Sequence, residues 1–202
     1  MYDDGVIKYA CHWRPGPDPD SPQLPALIEW RDRLWAAHQI GVYPDGVGYG
    51  NISVRLSPRS FLVSGTQTGY LAQTRPCHYT RVDAWDIDRN ELHCRGPIQA
   101  SSESLTHAAL YNYAEDIQAI IHVHNRQLWQ SQQHHLPTTA ASVPYGTPAM
   151  AHEMWRLMEG ANLAQQRILI MAGHEEGVLT FGPSLEAAAQ VLERYSLDPY
   201  SP

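Results

Sequence analysis

The stretch that most constrains the fold is residues 101–124, SSESLTHAALYNYAEDIQAIIHVH, because it sets a helix and a strand back to back. Residues 103–113 read as a helix, with Ser101 and Ser102 at its entrance and Glu103 in its first turn. After Glu115 and Asp116 the run 117–124 is β-type. Strand side chains alternate faces, so Ile121 and Val123 point one way while His122 and His124 point together the other way. Two imidazoles at i and i+2 begin a zinc site, which needs three nitrogen or oxygen ligands and an open position. The helix entrance offers hydroxyls and backbone N–H groups suited to an anion. An HxH pair alone more often marks hydrogen-bonded histidines. The metal reading gains from a carboxylate at the helix start and from His174, a further histidine in the glycine-flanked turn AGHEEG.

The rest of the chain is read around that unit. Residues 14–25, RPGPDPDSPQLP, are too rich in proline for helix or central strand and are expected to form an extended arm. Residues 26–40 follow helical spacing through Leu27, Trp30, Leu34 and Ala37, with Gly41 as the expected stop. Two strands, 52–56 and 60–64, flank a turn at Ser57-Pro58. Gly50-Asn51 precedes the first and GTQTG, 65–69, follows the second. Taken singly these are turns, but glycine permits close backbone approach and Asn and Thr offer neutral hydrogen bonds to phosphate. Residues 81–86 and 91–94 read as a hairpin, and the Gln- and His-rich stretch after His124, with His134 and His135, as a solvated loop.

Thr147-Pro148 opens a helix to about Glu159 whose stripe of Met150, Met154, Leu157 and Met158 is core. Strands are expected at 168–171 and 178–181, and Ser184 caps a last helix. With no internal repeat and no second domain, the pattern predicts a layered α/β domain.

Charge and composition narrow the function. A net charge of −7 with scattered Lys and Arg argues against nucleic acid or an anionic membrane as partner. The apolar runs are too short to span a bilayer, and MYDDGVIKYA lacks a signal-peptide pattern. Three cysteines without CxxC spacing argue against a disulfide framework, so a cytoplasmic protein is expected.

Six motifs in order, GNISVR (50–55), SGTQTG (64–69), SSE (101–103), HVH (122–124), GTPAMA (146–151) and GHEEGVLTFG (173–182), resemble the class II aldolase/adducin family. The resemblance covers about 26–195, leaving an arm at 1–25 and a short tail at 196–202. It implies a three-layer αβα domain around a mixed, largely antiparallel sheet. It also implies homotetramers with active sites between subunits. For the site it implies zinc, or another divalent ion, on His122, His124 and His174, and an acid/base at Glu103. Phosphate contacts are implied for Asn51, Ser101 and Ser102, with Thr66, Thr68 or Gly69 adding to them. Here Glu175 and Glu176 stand where family aldolases follow the histidine with glycine, so either glutamate is placed near the metal. Tyr195 and Tyr200 are candidates by position for the proton transfer that such aldolases assign to C-terminal tyrosines. The implied activity is a lyase that cleaves a small ketose, phosphorylated, through a metal-stabilised enediolate. A dehydratase or epimerase of the same family, or a non-catalytic adducin-like module, are the alternatives.

Overall fold

The apolar strands of the chain assemble into one sheet, seen in a computed structural model that describes residues 5–133, 135–160 and 162–197. In chain order the elements are β1 (Ala10–Pro15), α1 (Leu24–Ala36), β2 (Gly41–Val42), β3 (Gly48–Tyr49), β4 (Asn51–Ser57), β5 (Ser60–Ser64), β6 (Tyr79–Asp86) and β7 (Glu91–Gly96). They continue with α2 (Ser104–Tyr113), β8 (Ala119–His124), α3 (Arg126–Gln132), α4 (Pro148–Gly160), α5 (Leu163–Gln166), β9 (Ile168–Ile170), β10 (Gly177–Gly182) and α6 (Leu185–Leu197). Eight strands form one sheet in the order β1-β7-β6-β5-β4-β8-β10-β9, and β2 and β3 pair separately. Within the large sheet β1 runs parallel to β7, and the other neighbours are antiparallel. The domain is therefore a three-layer α/β structure around a mixed, mostly antiparallel sheet.

Period-two alternation builds the layers. On one face Phe61, Val82, Leu92, Ile120 and Leu179 share a core with α2 and α4. On the other Ile52, Val54, Leu62, Ile121, Val123 and Val178 share a core with α1 and α6. Each such side chain contributes roughly 1.5–3 kcal/mol when fully buried. A one-residue slip of β8 would expel Ile121 and Val123 from that second core and drive two imidazoles into it, so packing specifies the histidines' face.

Several local expectations shift. α1 begins at Leu24, with Pro25 in its first turn, because the first N–H groups of a helix have no intrahelical partner to lose. It ends at Ala36, and Gly41 starts β2 instead of stopping the helix. Arg14 and Pro15 close an edge strand, where a missing donor is tolerated. The polar stretch after His124 folds as α3, nucleated by Asn125, whose Oδ1 accepts from Leu128 N at 2.9 Å. His135 is exposed beyond it, and His134 lies outside the described residues. Among the described residues no helix is long and apolar enough to cross a membrane.

Candidate metal centre and catalytic cleft

Two histidines close β8, and the β9–β10 connection brings a third to them. β10 lies antiparallel beside β8, with Leu179 opposite His122 and Gly177 opposite His124. The connection is pinned by His174 N–H to Met171 O (3.0 Å) and Gly177 N–H to His174 O (2.9 Å). Gly173 is required there, since a Cβ would collide with the Val143 carbonyl. The rings of His122, His124 and His174 form a triangle with centroid separations of 5.1, 5.1 and 4.7 Å. One ligand atom from each lies within 4.8 Å of the others, and all three residues are buried.

The partners of these rings fit a metal. His122 Nδ1 lies 3.2 Å from Val178 O, a fixed acceptor, so that nitrogen carries the proton and Nε2 is the one to meet an ion. Tyr43 donates its hydroxyl hydrogen to Glu176 Oε2 at 2.9 Å, which leaves its oxygen to accept from His124 Nδ1 at 2.7 Å. His174 Nδ1 faces Glu103 Oε1 at 3.2 Å. Each imidazole is thus backed by a carbonyl, a phenol or a carboxylate, the arrangement that orients histidine ligands. Burial pushes His124 well below the ordinary imidazole range and the two neighbouring rings push it further, so it is held neutral, as a ligand must be. Three imidazole nitrogens converging on one point make this a site for a divalent metal ion of the zinc type.

Glu103 sits at the N-cap of α2, one residue before its expected place in the first turn, and is almost fully buried. Burial alone would raise its carboxyl, but His174 alongside, His122 and the Thr106 hydroxyl hold the charge and bring it down to about 2. Thr106 Oγ1 donates to Oε2 at 2.8 Å, while the buried Oε1 faces His174 Nδ1 at 3.2 Å.

The implied phosphate contacts Asn51, Thr66, Thr68, Gly69, Ser101 and Ser102 line one cleft together with the three histidines and Glu103. Asn51 pairs with His122 across β4 and β8, and its buried Oδ1 has no hydrogen-bond partner. The threonine loop is held from below by α1. Buried Arg31 donates from Nη2 to Thr68 O (2.6 Å) and from Nη1 to Leu71 O, and Trp35 Nε1 donates to Gly69 O (3.0 Å). Thr68 Oγ1 donates to Gly65 O at 2.9 Å, and Thr66 N–H to Gln99 O at 3.0 Å. No arginine or lysine is among the residues that line the cleft.

Several neighbours escape sequence reading. Tyr49 stacks on His124 at 5.2 Å and Tyr145 on His174 at 4.5 Å. Lys8, the chain's one lysine, lies 3.7 Å over the Tyr145 ring. Short-range motifs signal none of these contacts, although Tyr49 and Tyr145 each adjoin a glycine that the motifs include. Glu176 does not replace His174: it reaches His124 through Tyr43, and its Oε1 accepts from Arg126 Nε at 2.6 Å. Glu175 is exposed, 3.5 Å from Arg126 Nη2. Tyr195 packs against the core on the opposite face of the sheet, away from the cleft, and Tyr200 lies outside the described residues.

A family model described as Class II Aldolase and Adducin N-terminal domain matches residues 45–196. Among curated proteins none matches the chain. Solved structures similar to it include YgbL from Escherichia coli, at 20% identity and a TM-score of 0.61, covering 84% of this chain and 83% of that one. An L-fuculose 1-phosphate aldolase matches at 19% identity and a TM-score of 0.60, over 91% and 90% of the two chains. The l-fuculose-1-phosphate aldolase of Thermus thermophilus matches at 20% and 0.53, over 88% and 97%. At these identities the likeness shows the fold.

Proposed function

This chain belongs to the class II aldolase and adducin family, and on that premise we propose that it is a zinc-dependent aldehyde-lyase cleaving a small phosphorylated ketose. The observation that carries the reading is Glu103 Oε1 standing 3.2 Å from His174, inside a cleft that three convergent histidines close. His122, His124 and His174 would hold the ion. When bound, it would supply a Lewis acid for the negative charge that develops on substrate oxygens as a carbon–carbon bond breaks.

The chain's own groups supply the rest. Glu103, held as a carboxylate, would move protons between substrate carbon and oxygen, taking one in one direction and returning it in the other. The walls formed by Asn51, Thr66, Thr68, Gly69, Ser101 and Ser102 would hold the phosphate with neutral donors and so fix the reacting carbons. Lysine chemistry has no support, because Lys8 is not among the residues that line the cleft.

The same reading has the chain working as a homotetramer, with a neighbouring subunit completing each site. Exposed Val6, Val42 and Tyr70 support this, since they rim a groove that borders the cleft.

Metal analysis followed by an assay of ketose phosphates on the zinc-loaded protein tests the function. The expected result is aldehyde release that depends on zinc and is lost in Glu103→Gln. Loss of water without aldehyde would replace the aldolase by a dehydratase. Zinc-loaded protein inert to both reactions across ketose and aldose phosphates would leave a binding module.

A further inference from the structure

Far from the cleft the sheet edge holds a second set of metal-type donors that the lyase reading does not use. We propose that His12, His93 and Glu91 form a surface site for a divalent transition-metal ion of the zinc class, which fastens the N-terminal strand β1 to β7. The parallel pairing of β1 with β7 puts His12 directly opposite His93. Glu91, two residues before His93, falls on the same face. Neighbouring strands lie about 4.8 Å apart, so two imidazoles in register can reach one ion at zinc–nitrogen distances of about 2.0–2.1 Å. The rings stack, with centroids 4.4 Å apart and planes inclined by 18°, so each must turn to aim an in-plane lone pair at a shared ion. Donor atoms of all three residues lie within 4.8 Å of one another. Two imidazoles and a carboxylate are a zinc set that leaves room for water, whereas magnesium and calcium favour an all-oxygen shell.

The surroundings set what the ion must displace. Arg89 Nη2 holds Glu91 Oε1 at 3.2 Å, and because the arginine is exposed, solvent screens this pair and it contributes little. Arg95, on the same face, is engaged by Asp83 at 3.0 Å. Arg14, opposite Arg95 in register, is the like charge that lowers affinity. The thiols of Cys11 and Cys94 belong to the other face, where Leu92 and Cys94 enter the core, so they do not compete for this ion.

The ion would matter beyond the edge. The segment before β1 forms one wall of the cleft: Gly5 lines it, and Tyr9 donates its hydroxyl to Ser101 O at 2.7 Å. Fastening β1 therefore steadies the residues behind the SSE motif, and the folded state should gain stability as zinc fills the site.

Zinc titration of the full chain against a chromophoric chelator, with metal content and thermal midpoint read in parallel, tests the proposal. Wild type should take up about two equivalents, the second raising the midpoint with zinc concentration. His12→Ala/His93→Ala should keep the first equivalent and its turnover but lose the second, as should His12→Gln/His93→Gln, which keeps polar side chains at the edge. Glu91→Gln should weaken the second equivalent at least about tenfold. His122→Ala should do the reverse, losing the first equivalent and keeping the second. Wild type that stops at one equivalent at about 100 µM free zinc overturns the site, and so does a second equivalent that survives both double substitutions. An inactive protein that still binds the edge ion would remove the lyase reading and leave this one standing.

Discussion

Two sets of histidines sit on the same sheet and differ in what stands behind them. His12 and His93 lie exposed on the β1–β7 edge, where stacking on each other is the ring contact that holds them. His122, His124 and His174 are buried at the ends of β8 and the β9–β10 connection, and each Nδ1 faces its own acceptor or phenol. Donor atoms within 4.8 Å of one another are common to both. The difference lies in preorganisation: buried rings with fixed tautomers need no rotation to receive an ion, whereas exposed rings give up side-chain freedom and displace Arg89 from Glu91. The buried set also has Glu103 beside it, one carboxylate oxygen held by Thr106 and the other facing His174 Nδ1. A metal beside a charged, desolvated carboxylate can serve chemistry, while a metal on an open edge can serve as a fastening.

The sharpest way to separate the two sets is to remove one nitrogen from each. His122→Ala should abolish binding at the buried centre and reduce turnover to background, because two remaining imidazoles do not complete a three-ligand site. His93→Ala should leave turnover unchanged. Metal content and turnover of the two variants measured together check this. Equal losses in both would mean that activity needs the edge ion as well as the buried one.

Next in size comes Glu103→Gln, which keeps the volume and the Thr106 contact but removes the charge and the base. Turnover should fall by about 10²–10⁴-fold, the range for loss of a general acid–base group, with zinc content unchanged. Isothermal titration of zinc alongside steady-state kinetics separates this from metal loss. If the variant binds zinc normally and turns over within threefold of wild type, on the order of one acid–base contribution is missing from Glu103 and another group does the proton transfer.

What the sequence made legible follows from the range of each signal. The face of His122 and His124 was readable because strand alternation is local, and Ile121 and Val123 fix it by burial. His174 was readable because the glycines on either side of its turn are sequence neighbours. The helix over 126–132 escaped because its composition is polar, and one capping Asn is a weak signal. β1 escaped because Pro15 and Arg14 belong to an edge, where strand rules are relaxed. Arg31 escaped for another reason. A charge in the middle of a helix normally faces water, yet this one is buried beneath the threonine loop and holds two of its carbonyls. No periodicity argument finds a residue whose partners lie about forty positions away and are backbone atoms.

Tyr43→Phe tests preorganisation of the buried set with a smaller expected effect. It removes the hydroxyl that accepts from His124 Nδ1 and donates to Glu176, without altering the ring contact with Tyr49. Loss of such a backing group costs about 10–100-fold in metal affinity, and competitive chelation measures it directly. An affinity equal to wild type would mean that β8 alone orients His124, and the contrast with the exposed pair would then rest on burial.

Glu176→Gln carries the same test one bond further out and should have the smallest effect. The amide oxygen of Gln can still accept from Tyr43, so the phenol keeps its orientation and its oxygen still faces His124. What disappears is the negative charge that Arg126 balances at 2.6 Å. That pair is uneven, with Glu176 mostly buried and Arg126 largely exposed, so solvent screens much of its field. Metal affinity should therefore fall by less than about tenfold, below the Tyr43→Phe effect. The ordering is the informative part. A Glu176→Gln loss larger than that of Tyr43→Phe would show that the acidic charge itself holds the cation, and would give the second glutamate of the GHEEG turn an electrostatic role at the centre that the phenol merely relays.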